Sequence, residues 1–96
     1  MNSKIKDDVT DKLFEAILTL ENVEECYAFF EDICTVNEIK SLAQRLEVAK
    51  MLQQKKTYQD IQQITHASTA TISRVNRCLS YGSDGYKLIL DRVGKK

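Results

Sequence analysis

Proline and tryptophan are absent from this 96-residue chain, and its three glycines, Gly82, Gly85 and Gly94, all come late. Without a strong helix breaker before residue 82, nothing in the composition interrupts helix over the first eighty residues or so. No alternation of apolar and polar residues proposes a strand in competition. Cysteine and histidine are scarce as well. Cys26, Cys34 and Cys78 are odd in number and lack a CxxC spacing, and His66 is the single histidine, which leaves neither a disulfide framework nor a zinc ligand set. Cys26 and Cys34 are expected instead to be buried packing residues. No apolar run reaches the roughly 18 residues that a membrane span requires, so a membrane partner is not expected. A signal peptide is not expected either, because Asp7, Asp8 and Asp11 follow Lys4 and Lys6 where an apolar stretch would have to stand. The expected location is the cytoplasm. An enzyme is not expected: one histidine, no evident carboxylate pair and no glycine-rich phosphate loop supply no nucleophile with its base.

Net charge is also missing, with 14 Lys and Arg against 14 Asp and Glu. That balance hides a division. Residues 1–39 hold three Lys against ten carboxylates, a net of minus seven, and residues 40–96 hold eleven Lys and Arg against four, a net of plus seven. A basic half on an otherwise neutral chain is what a phosphate-binding surface at one end of a molecule would produce, although a helical bundle can also carry uneven charge.

What is present is helical spacing. Val9, Leu13, Phe14, Ile17 and Leu18 predict a first helix over about 7–20, and Val23, Cys26, Tyr27, Phe30 and Ile33 predict a second. Thr35 with Glu38 fits a capping box and starts a third helix that runs to Gln53. On it Ile39, Leu42, Leu46 and Ala49 form one apolar face and Val48, Met51 and Leu52 another, more than a surface helix needs. Such a helix is expected to be central or to pack against another subunit. Thr57 with Asp60 repeats the capping signal before a short helix bearing Tyr58, Ile61 and Ile64. A turn at 65–67 leads to a fifth helix over 68–80, which Gly82 closes. Ser83 or Asp84 then caps a last helix with Tyr86, Ile89, Leu90 and Val93 on one face. The fold class is all-α, with about six helices. A single chain this short buries only about 60–65% of the surface its unfolded form exposes, so a partner subunit is a natural expectation.

Two short helices joined by about three residues form a helix-turn-helix, whose second helix enters the major groove while its apolar side packs on the first. Ile61, Ala67, Ile72, Val75 and Leu79 fit the inner side. Thr69, Ala70, Ser73 and Asn76 fit the outer side, with Thr71 and Arg77 at its edges. Small side chains permit close approach to base edges, hydroxyls can bond bases or phosphates, and Arg74 and Arg77 can meet phosphates. Gln59 and Gln62, on the first of the two helices, can reach bases or backbone, and Lys55 and Lys56 stand where that helix begins. His66 occupies the turn position at which glycine is usual, and it tolerates a left-handed backbone better than a branched residue does. The same pattern also fits the solvated face of a small bundle.

The segments CTVNEIKSLAQRLEVAKML, from Cys34 to Leu52, and YQDIQQITHASTATISRVNRCL, from Tyr58 to Leu79, resemble the Trp repressor family, most closely its YerC/YecD branch. The similarity covers roughly residues 10–95. It implies one Trp repressor-like domain over 1–96, with a helical dimerisation core at 7–53, a helix-turn-helix at 57–80 and a C-terminal helix at 84–94. It further implies an intertwined homodimer that carries two heads to successive major grooves of double-stranded DNA. The family's corepressor lies between two arginines that match Arg45 and Arg74, and Thr35 and Thr71 match other pocket residues. A glycine beside the second arginine is Val75 here, and the serine that would bond the ligand's amino group is Cys78. Val75 adds three carbon atoms where space is needed and a thiol is a weak acceptor, so tryptophan is not expected to be an obligatory corepressor and no cofactor is required. The arginines then either contact phosphates or pair with Glu38 or Glu47. The expected function is a homodimeric, sequence-specific transcriptional regulator acting by repression. The alternative is a helical protein-interaction module that has kept the helix-turn-helix fold.

Overall fold

A computed structural model describes residues 3–94 as six α-helices, with no strand among those residues. The all-α expectation is met. The helices are α1 (Asp8–Ile17), α2 (Val23–Ile33), α3 (Val36–Gln53), α4 (Tyr58–Thr65), α5 (Thr69–Tyr81) and α6 (Gly85–Gly94). They fall into two compact units that divide after Thr35.

The first unit holds α1 and α2. Asp7 caps α1: its Oδ1 accepts the Thr10 amide at 2.6 Å, and Asn22 caps α2 in the same way by accepting from Glu25 at 2.9 Å. The Thr10 amide, and secondarily its hydroxyl, hold the Asp7 carboxyl below its ordinary titration range. The sequence predicts α1 as far as residue 20, but its regular part ends at Ile17. There the amides of Thr19 and Leu20 turn back to the carbonyls of Ala16 and Ile17, three residues behind, and the Thr19 hydroxyl takes up Ala16 O at 2.6 Å. No residue of α1 or α2 is buried. Val9 is 77% exposed, Leu18 83% and Tyr27 64%. Cys26, expected in an interior, is exposed, the partial burial of α2 falling on Phe29 and Phe30 instead, while Cys34 is half-buried.

The second unit has a core. Val48, Ala49 and Met51 of α3 meet Ile61 of α4, Ala67 of the turn, and Ile72 and Val75 of α5, with Leu52, Leu79, Tyr86 and Leu90 packed around them. Ile61, Ile72 and Val48 are fully buried and Val75 nearly so, each worth roughly 1.5–3 kcal/mol relative to exposure. Of the two apolar faces expected on α3, that of Val48, Met51 and Leu52 turns to the core and that of Ile39, Leu42, Leu46 and Ala49 is divided. Val48, Met51 and Ala49 enter the core, while Leu42 and Leu46 stay exposed.

The two turns around α4 are both left-handed at one residue. After α3, the Lys55 amide reaches Leu52 O and the Lys56 amide reaches Met51 O, closing the helix with Lys55 at φ 63°. After α4, His66 takes φ 61° and ψ 16° while its amide donates to Gln62 O at 2.9 Å. The tolerance expected of His66 is thus used. Gly82 follows α5 with an extended rather than left-handed backbone, and its lack of a side chain matters for another reason: a Cβ there would lie 2.4 Å from Cys78 O. Asp84, one of two residues expected to cap α6, is left-handed at φ 64° and accepts the Leu88 amide through its carbonyl.

Two outcomes follow for stability. His66→Gly should leave the unfolding free energy within about 1 kcal/mol, because relief of the left-handed backbone offsets glycine's greater unfolded freedom, and His66→Val should lower it by about 1 kcal/mol or more in denaturant titrations. Because the Asp7 carboxyl is stronger in the folded helix than in the unfolded chain, its contribution is complete above the unfolded pKa and lost as pH falls through the folded one. Asp7→Asn, which keeps an amide oxygen as cap, should flatten the acid limb of the helical circular-dichroism signal.

Candidate nucleic-acid interface

Every candidate contact residue named from the sequence belongs to the second unit, apart from Thr35, which ends the first. The local structure of the helix-turn-helix is set by short-range hydrogen bonds. Thr57 caps α4 by accepting the Asp60 amide at 3.1 Å, as the Thr57 and Asp60 pairing predicts. Ser68 caps α5: its Oγ accepts the Thr71 amide at 3.1 Å and donates to Thr71 Oγ1 at 3.2 Å. Between them lie only His66, Ala67 and Ser68, and Ala67 is buried, so the turn is pinned to the core at its middle.

Ile72 and Val75, three apart, bury one side of α5, and Leu79 extends that side half-buried. The other side is open. Thr69, Ala70, Ser73, Arg74, Asn76 and Arg77 are all exposed. Thr71 stands at the border, half-buried, with its oxygen engaged by Ser68. On α4, Gln59 and Gln62 are exposed, and Lys55 and Lys56 are exposed just before it. Arg45 is half-buried on α3, a helix that packs against α5. Among the described residues, Arg45, Lys55, Lys56, Arg74 and Arg77 form no ion pair. Pairing of Arg45 or Arg74 with Glu38 or Glu47, one of the two sequence-level options, is not found. Positive charge that local carboxylates do not neutralise is what phosphate binding by counterion release requires.

The residues matched to a ligand pocket have contrasting surroundings. Val75 is 1% exposed within the core of the second unit, whereas Arg74 and Cys78 are exposed and Arg45 and Thr71 are half-buried. The valine side chain is thus occupied in packing α5 onto its neighbours.

Two features escaped the sequence reading. Ser68 acts as cap although the expected helix began at that residue, because an N-cap looks like a helix residue one position early. Gln44, in the middle of α3, carries no motif, yet its Nε2 donates to Thr65 O at the end of α4 at 3.0 Å. Only the return of the chain 21 residues later brings that acceptor within reach.

Residues 9–94 match the family described as Trp repressor protein. A Bacillus subtilis (strain 168) protein named Uncharacterized protein YerC is 60% identical over 90 residues, covering 94% of this chain and 86% of the relative. A solved structure of a proposed Trp repressor from Staphylococcus aureus is 60% identical, covering 97% of this chain and 93% of its own, with a TM-score of 0.92. A TrpR like protein from Eubacterium eligens ATCC 27750, also solved, is 58% identical over 97% and 96% of the two chains, again with a TM-score of 0.92.

The split between positioning and reading residues has a direct check by fluorescence anisotropy. Arg77→Ala should weaken binding to every duplex and reduce the slope of log affinity against log salt by about 1. Ser73→Ala should leave that slope unchanged and alter sequence preference at one base pair, an effect of about 1–3 kcal/mol. Equal effects of both variants on all duplexes would refute the division of roles.

Proposed function

The chain belongs to the Trp repressor family, a family of DNA-binding regulators, and from that premise we propose that it is a homodimeric, sequence-specific repressor that occupies an operator. One observation carries the reading: α5 buries Ile72 and Val75 and turns outward a run of small polar side chains, with the unpaired Arg74 and Arg77 among them. Thr69, Ala70 and Ser73 approach base edges, with Thr71 at their border and Gln59 and Gln62 entering from α4. Arg45, Lys55, Lys56, Arg74 and Arg77 hold the phosphates. The protein acts in a bacterial cytoplasm, on double-stranded DNA.

The second copy is supported by what the first leaves uncovered. Neither α1 nor α2 has a buried residue, and Leu42, Leu46, Ile89 and Val93 are also exposed. Exposed apolar surface on this scale marks an association site. A two-fold dimer presents its two copies of α5 to half-sites about 34–36 Å apart, so the operator is near-palindromic. Tryptophan is not needed in this reading: Val75, standing where the family's pocket has glycine, is packed into the core, and the heads are held in their DNA-competent pose without a ligand. Charge division favours a rival in one respect. The acidic first unit with its apolar residues could dock a protein instead, and the helix-turn-helix would then be kept as scaffold.

Selection of the purified protein on randomised duplexes, with and without tryptophan, separates these readings. Enrichment of a palindrome without tryptophan, with affinity falling steeply as salt rises, is the expected result. Enrichment that requires tryptophan would reinstate a ligand-gated pocket, and no enrichment with salt-insensitive binding would favour the protein-interaction module.

A further inference from the structure

We propose that Gln44 is a positioning residue for DNA reading: it fixes the end of α4, and through the three-residue turn the start of α5, at one place along α3. This rests on the DNA-reading function proposed above. The geometry begins with a helix-end problem. The last carbonyls of a helix have no amide within it to accept from, and at the end of α4 the left-handed His66 sends its own amide to Gln62 O. The Thr65 carbonyl is met from outside, by Gln44 Nε2 at 3.0 Å. The Thr65 side chain is equally committed: its hydroxyl donates to Ile61 O at 2.7 Å and accepts the Ala67 amide at 3.2 Å. One residue thereby joins α3, the body of α4 and the turn.

The core beneath cannot supply the same constraint. Contacts among Val48, Ala49, Met51, Ile61 and Ile72 are apolar, and apolar burial is non-directional, so it opposes separation of the helices more than it opposes a small slide. An amide-to-carbonyl bond weakens steeply with misalignment and selects one register. Base-edge hydrogen bonds need their donors placed to a fraction of an ångström, whereas phosphate contacts through long, flexible side chains tolerate a shift. A slide of α4 therefore harms sequence reading more than general affinity. Gln44 lies in a shallow groove with Lys40, Ala43, Glu47, Ile64 and Thr65, and Ile64 is 65% exposed there. Water can take over the Thr65 carbonyl when Gln44 is replaced, so the variant need not unfold.

The test uses the full chain with Gln44→Met, which keeps length and loses the donor, and Gln44→Glu, which presents only acceptors to the carbonyl when ionised. Three quantities are read: amide hydrogen exchange, thermal unfolding, and affinity for the selected duplex against an unrelated one over a range of salt. The expected result is exchange at His66 to Thr71 several-fold faster with little change in melting temperature. Affinity for the selected duplex should drop tenfold or more, affinity for the unrelated duplex should change less than twofold, and the salt slope should be unaltered in Gln44→Met. Unchanged exchange, or a parallel fall of both affinities, overturns the proposal. Should Gln44→Met fail to fold, Gln44→Glu decides by the exchange and affinity-ratio criteria alone, since its added charge alters salt dependence by itself. Should the wild-type chain select no duplex, the DNA reading fails, and exchange still decides the strut: acceleration confined to His66 to Thr71 supports it, and no acceleration removes it.

Discussion

The contact of Ile72 and Val75 with the C-terminal half of α3 is the constraint on which the second unit depends. Val48, Ala49 and Met51 offer a continuous apolar strip, and Ile61 and Ala67 fill the angle between that strip and α5. Because these seven side chains are the buried core among the described residues, the orientation of α5 is decided by which of its sides is apolar. Outward presentation of Thr69, Ala70, Ser73, Arg74 and Arg77 is then a consequence of helical period rather than a separate arrangement. The surface proposed to read DNA and the core that holds the fold are opposite sides of one helix.

The first unit obeys a different logic. Its two helices are well capped, by Asp7 and Asn22, yet hold no fully buried residue, so their local signals are stronger than their tertiary support within one chain. Short helices without tertiary packing are marginal in water. In the proposed homodimer a partner copy would cover these helices together with Leu42 and Leu46 on α3, which are exposed in the single chain. Charge follows the same division, with the carboxylates concentrated in the unit that carries no proposed DNA contact.

Strain in the head is confined to its joints. Lys55 and His66 are non-glycine residues in left-handed conformations at the two ends of α4, where glycine would serve the backbone better. Lys55 brings a positive charge to the C-terminus of α3, which the helix dipole favours and which a phosphate can use. The structure offers no comparable physical account of the imidazole at position 66 beyond its tolerance of the conformation.

Helix number, helix type and the inner side of α5 were legible in the sequence because they depend on periodicity and on neighbours within a few residues. Thr57 with Asp60, the placement of Ile61, Ile72 and Val75, and the left-handed site at His66 all belong to that class. Boundaries were less legible: α1 stops at Ile17 because its last turn tightens, and α5 begins after Ser68 because a capping side chain sits one residue before the helix it starts. Burial of Cys26 was misjudged since a hydrophobic period shows which face is apolar and not whether anything covers it. The sequence by itself thus determined which residues form helices and which side of each is apolar, since those properties are local. Only the tertiary structure decided that Arg45 and Arg74 form no ion pair among the described residues and that Gln44 meets Thr65. Each of these depends on segments distant in the chain being brought together, and no short-range pattern records that approach.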